Sequence, residues 1–215
     1  MATGRPGQEN TAETTANRLS ARAELRRRKI AERTSLPAAT HAQRSAQLAA
    51  HLELLLRRCP VTIIGFCWPI RAEFDCRPLV TAMLARGVRA CLPLVTAAAT
   101  AMSFRQWLPH SAMAIDRHGI HYPATGDTLV PELLLMPVNA FDAQGYRLGY
   151  GGGYFDRTLA TLKPPPLTVG LGFELARVAS TLPGEHDIAM DAVVTEAGLE
   201  IYSPRLAPEK TTGRP

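Results

Sequence analysis

The sequence predicts an α/β fold with three layers, in which helices cover both faces of a mostly parallel, Rossmann-like sheet. Apolar runs rich in β-branched residues alternate with helical patterns, and the joints between them are short. Val61 to Phe66 is predicted to be a strand, Arg77 to Arg86 a helix and Val88 to Leu92 the next strand. This order favours parallel pairing, because two parallel neighbours need a crossover connection between them.

Two helices are predicted ahead of the first strand. Residues 18–33 are rich in Ala, Leu, Glu and Arg, which favour helix. A second helix is expected from about Thr40 to Arg58. Its residues Leu48, Leu52 and Leu55 recur at helical spacing, so they share one face.

The second half of the chain predicts further strands and one more helix. The segments are a strand or hairpin arm at Ala101–Leu108, a strand at Leu133–Val138, a helix at Gly153–Leu162, and strands at Leu167–Leu171 and Ala192–Thr195. The Gly- and Pro-containing stretch from Pro109 to Thr128 allows no assignment.

Length and composition favour a single globular domain. The chain has 215 residues, of which 46% are hydrophobic and 20% charged. We expect a disordered extension at residues 1–17, one domain at 18–203 and a flexible tail at 204–215. The extension lacks the apolar centre of a secretory signal, and the strongest apolar run, Val61 to Trp68, is too short to cross a membrane. We therefore expect a cytoplasmic protein without a membrane partner. We also expect a monomer, although nothing in the sequence specifies the oligomeric state.

Charge and cysteine spacing exclude some classes of function. A net charge of +5 favours acidic partners, but the densest basic cluster, residues 26–29, lies in a helical pattern without aromatic residues beside it. We therefore expect no nucleic-acid partner. The four cysteines are separated by seven residues or more, which offers no CxxC motif and predicts reduced, buried thiols.

The segment from Leu133 to Leu159 carries the strongest functional signal. It reads LLLMPVNAFDAQGYRLGYGGGYFDRTL: an apolar strand, then four glycines within five positions, then the start of a helix. Glycines let the backbone approach a phosphate, and a helix N-terminus directs N–H groups and a positive dipole at an anion. The loop lacks the Gly-Lys-Ser/Thr ending of a P-loop, and Tyr154 stands where a dinucleotide fold has Gly or Ala. A plain strand-to-helix turn is the alternative.

The residues of this segment resemble the signature of the 5-formyltetrahydrofolate cyclo-ligases. The resemblance rests on Phe141-Asp142, Gly145, Arg147-Leu148-Gly149, Gly151-x-Gly153-Tyr154 and Asp156. It continues in the same order elsewhere, at Arg22 to Arg26, at Trp68 to Glu73, and at the closing motifs Leu182-Pro183, Glu185-His186-Asp187, Asp191 and Val194-Thr195-Glu196. The match therefore spans about Arg22 to Glu196.

The resemblance implies a ligase that uses ATP and Mg²⁺ to convert 5-formyltetrahydrofolate to 5,10-methenyltetrahydrofolate, with release of ADP and phosphate. The implied ATP-binding residues are Arg22, Arg26, Arg147, Leu148, Gly149, Gly151, Gly152, Gly153 and Tyr154. The implied folate-binding residues are Trp68, Glu73, Tyr150, Gly151, Gly152, Gly153 and Tyr154. Asp156 and Asp191 are the implied Mg²⁺ ligands. No catalytic residue is assigned, because such a reaction depends on positioning and charge neutralisation more than on a nucleophile.

Three positions depart from the family pattern. Arg22 stands where lysine is usual, Asn139 where an apolar residue is usual, and Phe155 where a second tyrosine is usual. The charges that ATP and Mg²⁺ require are retained. Three alternatives stay open: a non-catalytic folate- or nucleotide-binding relative, a basic RNA-binding module, and an unrelated phosphotransferase that uses the same loop.

Overall fold

The computed structural model describes the backbone of residues 6–206 and the side chains of residues 15–206. The helices within this range are α1 (Pro6–Thr34), α2 (Ala38–Arg58), α3 (Arg77–Leu84) and α4 (Tyr154–Thr161), with short 3₁₀ turns at Glu174–Ala176 and Pro204–Leu206. The strands are β1 (Ile63–Gly65), β2 (Arg89–Leu94), β3 (Ser103–Trp107), β4 (Met113–Ile115), β5 (His121–Pro123), β6 (Leu133–Pro137), β7 (Ala140–Phe141), β8 (Arg147–Leu148), β9 (Leu167–Leu171), β10 (Ala192–Thr195) and β11 (Gly198–Ile201).

Seven strands form the main sheet, in the order β11-β10-β9-β6-β1-β2-β3. The five central strands are parallel, and the two edge strands, β11 and β3, pair antiparallel to their neighbours. From β1 the chain adds β2 and then β3 on one side. It then returns to add β6, β9 and β10 on the other side, so the strand order reverses between β1 and β6. The predicted mostly parallel sheet is confirmed.

Side chains of β6 show that the sheet is covered on both faces. Leu133 and Leu135 pack in a cluster with buried leucines of α2 and with Val80 of α3. Leu134 packs in a second cluster with Leu159 of α4. Because successive side chains of a strand point to opposite faces, α2 and α3 lie on one side of the sheet and α4 on the other. The predicted three layers are confirmed.

The apolar face of α2 was predicted correctly. Leu48 and Leu52 are fully buried, and Leu55 and Leu56 nearly so. Burial of a leucine side chain stabilises the fold by roughly 1.5–3 kcal/mol. All four cysteines are free; three are buried and Cys67 is half-buried, in agreement with the expected thiols.

Several elements differ from the sequence-based prediction. The unassigned stretch contains the β4–β5 hairpin, and β7, β8 and β11 were not predicted. These strands have two to four residues each and lack the adjacent β-branched residues, such as Val193 and Val194, that marked the equally short β10. Helix α1 begins at Pro6 rather than Arg18, so residues 6–17 are helical. Proline suits the first helical turn, but residues 7–17 contain no large apolar side chain, so no helical spacing of apolar residues indicated the helix.

The limits of the domain stay a prediction. Residues 1–5 of the predicted extension and residues 207–215 of the predicted tail lie outside the described residues. Across residues 6–206, no helix combines the length and the apolar character that a membrane crossing requires.

Candidate active site

The carboxyl ends of β1 and β6 are neighbours, and the loop after β1 carries two of the predicted folate-binding residues. The two strands pair in parallel, with Gly65 opposite Leu134. The loop after β1 contains Trp68 and Glu73, and the loop after β6 contains Asn139. Ligands of open α/β sheets bind at this edge, where the strand order reverses.

Glu73 is a buried carboxylate at this edge. It is 7% exposed. One oxygen, Oε2, accepts a hydrogen bond from the backbone N–H of Ile70 at 3.0 Å, and Oε1 accepts one from the Tyr150 hydroxyl at 2.5 Å. Burial raises the pKa of Glu73, and these hydrogen bonds together with the charge of Arg33 offset only part of that rise. Burial and the Glu73 charge likewise raise the pKa of the Tyr150 hydroxyl.

A strained turn presents Glu73 to the site. Arg71 and Ala72 both adopt a left-handed conformation, with φ of 49° and 56°. Such conformations cost roughly 1–3 kcal/mol each in residues other than glycine. The turn is held from two helices: Arg33 of α1 donates to the Arg71 carbonyl at 3.0 Å, and His41 of α2 donates to the Ala72 carbonyl at 3.0 Å.

Arg33 links the site together and was missed by the sequence analysis. Its Nη1 donates to Asn139 Oδ1 at 3.0 Å, its Nη2 donates to the Tyr150 hydroxyl at 3.1 Å, and Nη2 lies 3.7 Å from Glu73 Oε1. The signal in the sequence was its position seven residues after Arg26, which places both arginines on one face of α1. Its place in the last turn of the helix suggested only a charge that complements the helix dipole.

Trp68 is half-buried at the rim of the same edge. The guanidinium of Arg77 lies 4.2 Å from the centre of its ring, and the ring of His121, on the β4–β5 hairpin, lies 5.2 Å away. At the tip of that hairpin, His118 contacts the Tyr154 hydroxyl at 3.3 Å. The hairpin therefore contacts two of the predicted folate-binding residues, Trp68 and Tyr154. These contacts could not be predicted, because residues 109–128 had no secondary-structure assignment.

The glycine-rich loop, residues 149–153, lies directly before α4 as predicted, and it follows β8, which was not predicted. Gly151 has φ of +92°, and a Cβ atom there would lie 3.2 Å from the Arg26 guanidinium. Arg26 Nε donates to the Gly149 carbonyl at 2.6 Å. Glycine at position 151 thus permits both the backbone conformation and the close approach of Arg26.

The arginines around the loop fall into two groups. Arg22 is paired with Asp187 at 2.7 Å, and Arg147 is buried and paired with Asp156 at 2.9 Å. By contrast, Arg26 has no carboxylate partner among the side chains of residues 15–206. Arg157, which was not predicted as a site residue, likewise has no carboxylate partner within that range. It donates to the Gly152 carbonyl and lies 5.2 Å from the Tyr154 ring centre. Two guanidinium groups that pair with no carboxylate of the described residues therefore flank the loop.

Leu148 differs from the other residues predicted to bind ATP. Its side chain is fully buried, and its carbonyl accepts a hydrogen bond from the backbone N–H of Asn139 at 2.9 Å. The residue therefore belongs to the packing beneath the loop.

Asp142 of the Phe-Asp pair is also structural: it accepts hydrogen bonds from the backbone N–H groups of Gln144, Tyr146 and Thr181 and from the Thr181 hydroxyl.

The two predicted Mg²⁺ ligands share no contact. Asp156 lies in the first turn of α4, and its Oδ1 accepts from Arg147 Nη2 and from the Ile188 N–H at 3.1 Å. Asp191 precedes β10 at the amino end of that strand, where its Oδ2 accepts from Thr168 N and Oγ1 and lies 3.2 Å from Arg205. No group of three or more His, Cys, Asp or Glu residues suited to a metal ion occurs in the described part of the chain.

Comparisons with known proteins agree on one family. A model of the 5-formyltetrahydrofolate cyclo-ligase family matches residues 18–196. A 5-formyltetrahydrofolate cyclo-ligase of Escherichia coli K12 is 34% identical over 132 residues, which are 57% of this chain and 71% of that protein. One from Haemophilus influenzae is 27% identical over 161 residues, 72% of this chain and 86% of that protein. The NMR structure of Aquifex aeolicus 5,10-methenyltetrahydrofolate synthetase superposes with a TM-score of 0.73 at 25% identity, covering 90% of this chain and 99% of that one.

Proposed function

Because this chain belongs to the 5-formyltetrahydrofolate cyclo-ligase family, we propose that it is an enzyme that converts 5-formyltetrahydrofolate to 5,10-methenyltetrahydrofolate at the expense of ATP, with Mg²⁺. One contact carries the proposal: Tyr150, within the glycine-rich loop, donates its hydroxyl to the buried carboxylate of Glu73 at 2.5 Å. A phosphate-binding loop and a polar group suited to a pterin are thus in direct contact. A reaction that joins a phosphoryl group to a folate requires this proximity.

The folate would bind at the carboxyl edge of the sheet. A pterin ring carries N–H and amino donors on one edge, and the Glu73 carboxylate is a strong acceptor for them when it is ionised. Trp68, at the rim, offers an aromatic surface for packing against a flat ring. Tyr150 of the loop and Tyr154 at the start of α4, together with the hairpin residues that contact Trp68 and Tyr154, would enclose the other side.

The ATP phosphates would bind against the glycine-rich loop. Its backbone N–H groups precede α4, whose N-terminus favours an anion. Arg26 and Arg157 supply positive charge that no described carboxylate neutralises. Arg22 and Arg147, which are already paired with Asp187 and Asp156, would orient neighbouring groups more than they would contact phosphate.

The proposed chemistry activates a poor electrophile. The formyl oxygen takes the γ-phosphoryl group of ATP, which releases ADP and converts that oxygen to a leaving group. The folate N10 then attacks the formyl carbon, the bond from that carbon to the phosphorylated oxygen breaks, and phosphate departs while N10 loses its proton. The residues described here would hold the two reactants in line and neutralise charge; no covalent intermediate with the protein is needed.

Of the two predicted Mg²⁺ ligands, Asp156 is better suited to bind the ion than Asp191. Its Oδ2 has no partner among the described residues, and Mg²⁺ takes one or two carboxylates together with phosphate oxygens. The ion would neutralise charge on the phosphates. Asp191 stays a prediction that requires Arg205 to release its carboxylate. Cytoplasmic location and a monomeric state likewise stay predictions.

The proposal is tested by incubating the protein with 5-formyltetrahydrofolate, ATP and Mg²⁺. We expect near-ultraviolet absorbance of the methenyl product to grow, with release of one ADP and one phosphate per product, and no growth when ATP or Mg²⁺ is omitted. Folate binding without turnover would favour the non-catalytic relative instead. ATP hydrolysis that does not need the formyl compound would favour an unrelated phosphotransferase.

Replacement of Arg26 is expected to weaken ATP binding selectively. Arg26→Ala removes a guanidinium that contacts the loop, and we expect the KM for ATP to rise roughly 10- to 100-fold, as for loss of one charge-assisted hydrogen bond. The KM for the folate should change little. Arg27→Ala is the matched control, since Arg27 is the next residue of the same helix and its side chain is 75% exposed. Equal effects of the two variants on the KM for ATP would contradict the assignment.

A further inference from the structure

Asn139 has a buried amide group that the fold uses only in part. The residue is 2% exposed, yet its Nδ2 has no hydrogen-bond partner among the described residues. A buried donor without an acceptor costs roughly 1–3 kcal/mol, and such groups are rare in folded proteins. The unpaired nitrogen is therefore a feature that requires an explanation.

Arg33 fixes the orientation of this amide. A guanidinium group only donates hydrogen bonds, so the amide atom that faces Arg33 Nη1 at 3.0 Å must be the oxygen. The NH₂ group consequently points away from Arg33 and remains a donor. Through its Nη2, the same guanidinium contacts Tyr150 and lies 3.7 Å from Glu73, so Asn139 lies beside the cluster that surrounds the proposed folate site.

The donor complements one particular edge of a folate. On a pterin ring, the N3–H and 2-amino donors stand next to an acceptor, the oxygen on C4. Glu73 offers acceptor atoms for the two donors, and the Asn139 amide offers a donor for the neighbouring oxygen. We propose that Asn139 Nδ2 donates a hydrogen bond to the C4 oxygen of the bound folate and thereby selects 4-oxo over 4-amino pterins. This inference rests on the proposed function, because it assumes that Glu73 holds the pterin.

Two substitutions separate donation to the ligand from support of Arg33. Asn139→Leu removes both the donor and the acceptor at similar volume. Asn139→Asp retains an oxygen for Arg33 but replaces the free donor with an acceptor. If the only role of Asn139 is to hold Arg33, the Asp variant should behave as the wild type does; if it donates to the folate, the Asp variant should lose affinity for a 4-oxo pterin.

The experiment measures dissociation constants by calorimetry for 5-formyltetrahydrofolate, for its 4-amino-4-deoxy counterpart and for a non-hydrolysable ATP analogue. We expect the wild type to prefer the 4-oxo ligand, Asn139→Leu to bind it roughly 10-fold or more weakly, and Asn139→Asp to show a smaller preference than the wild type. The preference should not reverse in Asn139→Asp, because the 4-amino ligand lacks the N3–H that Glu73 accepts. Binding of the ATP analogue should not change, and thermal melting should confirm that each variant is folded.

Retention of 4-oxo affinity by Asn139→Asp overturns the inference, as does an equal loss of affinity for both folates in either variant. These outcomes leave the proposed function intact, because the wild type still binds folate and forms the methenyl product. A wild type that binds neither folate overturns the proposed function and this inference together. The two failures are therefore distinguishable.

Discussion

Glu73→Gln is expected to lower the affinity for 5-formyltetrahydrofolate by roughly 100-fold or more, with a matching loss of turnover at subsaturating folate. The amide keeps the size of the side chain but loses the charge that accepts hydrogen bonds from a pterin. The ATP analogue should bind as before, because the proposed phosphate contacts, the glycine-rich loop with Arg26 and Arg157, do not include Glu73. Calorimetric titration of each ligand and steady-state kinetics measure these effects.

Glu53→Gln supplies the matched control for this charge. Glu53 lies on the outer face of α2. Among the described residues, its carboxylate forms one ion pair, with Arg57 at 2.8 Å. Its replacement should leave the affinities for both ligands and the turnover unchanged. A Glu73→Gln variant that retains wild-type folate affinity would remove Glu73 from the substrate site.

The pH dependence of stability offers a second readout on Glu73. Burial raises its pKa above the ordinary value of 4.5, so the folded state binds this proton more tightly than the unfolded state does. The stabilisation from this group is present below the unfolded-state pKa and is lost as pH rises through the folded-state value. The unfolding free energy of the wild type, relative to that of Glu73→Gln, should therefore decline from about pH 4.5 towards neutrality. Denaturant unfolding at several pH values tests this, and parallel profiles would contradict it.

Much of the fold could be predicted because the central strands are continuous apolar runs. The segments Leu167–Leu171 and Ala192–Thr195 were predicted with the bounds that the structure shows. Buried parallel strands are apolar on both faces, which makes them conspicuous in a sequence. The β4–β5 hairpin was missed because strands of three residues, with polar side chains such as His121 among them, contain too few positions to establish a pattern.

The site could be predicted only where its residues are local in sequence. The glycine-rich loop and the helix after it form one continuous segment, so their composition alone indicated phosphate binding. The contact of Arg33 with Asn139 joins residues that are 106 positions apart. Local periodicity does not specify where α1 crosses the edge of the sheet. For the same reason, the sequence could not show that Asp156 and Asp191 are each engaged by a different arginine.

Arg33→Met should have a large effect on both stability and activity. The Arg33 side chain is 5% exposed and that of Glu73 is 4% exposed, so loss of the cation leaves a buried carboxylate without its counter-charge. Removal of one partner of a buried ion pair typically costs about 3–5 kcal/mol, and we expect a loss in that range by denaturant unfolding. Activity should fall roughly 100-fold or more, since Asn139, Tyr150 and the turn that presents Glu73 lose a common partner.

The double variant Arg33→Met, Glu73→Gln distinguishes an uncompensated charge from lost packing. With both charges removed, much of the stability lost in Arg33→Met should return, because a neutral amide is far less costly to bury than a carboxylate. Folate affinity should not return, since the acceptor for the pterin is still absent. Arg28→Met, whose side chain is 60% exposed on the same helix, should match the wild type. If the double variant is as unstable as Arg33→Met, hydrogen bonding and packing by Arg33, rather than its pairing with Glu73, hold this edge of the sheet together.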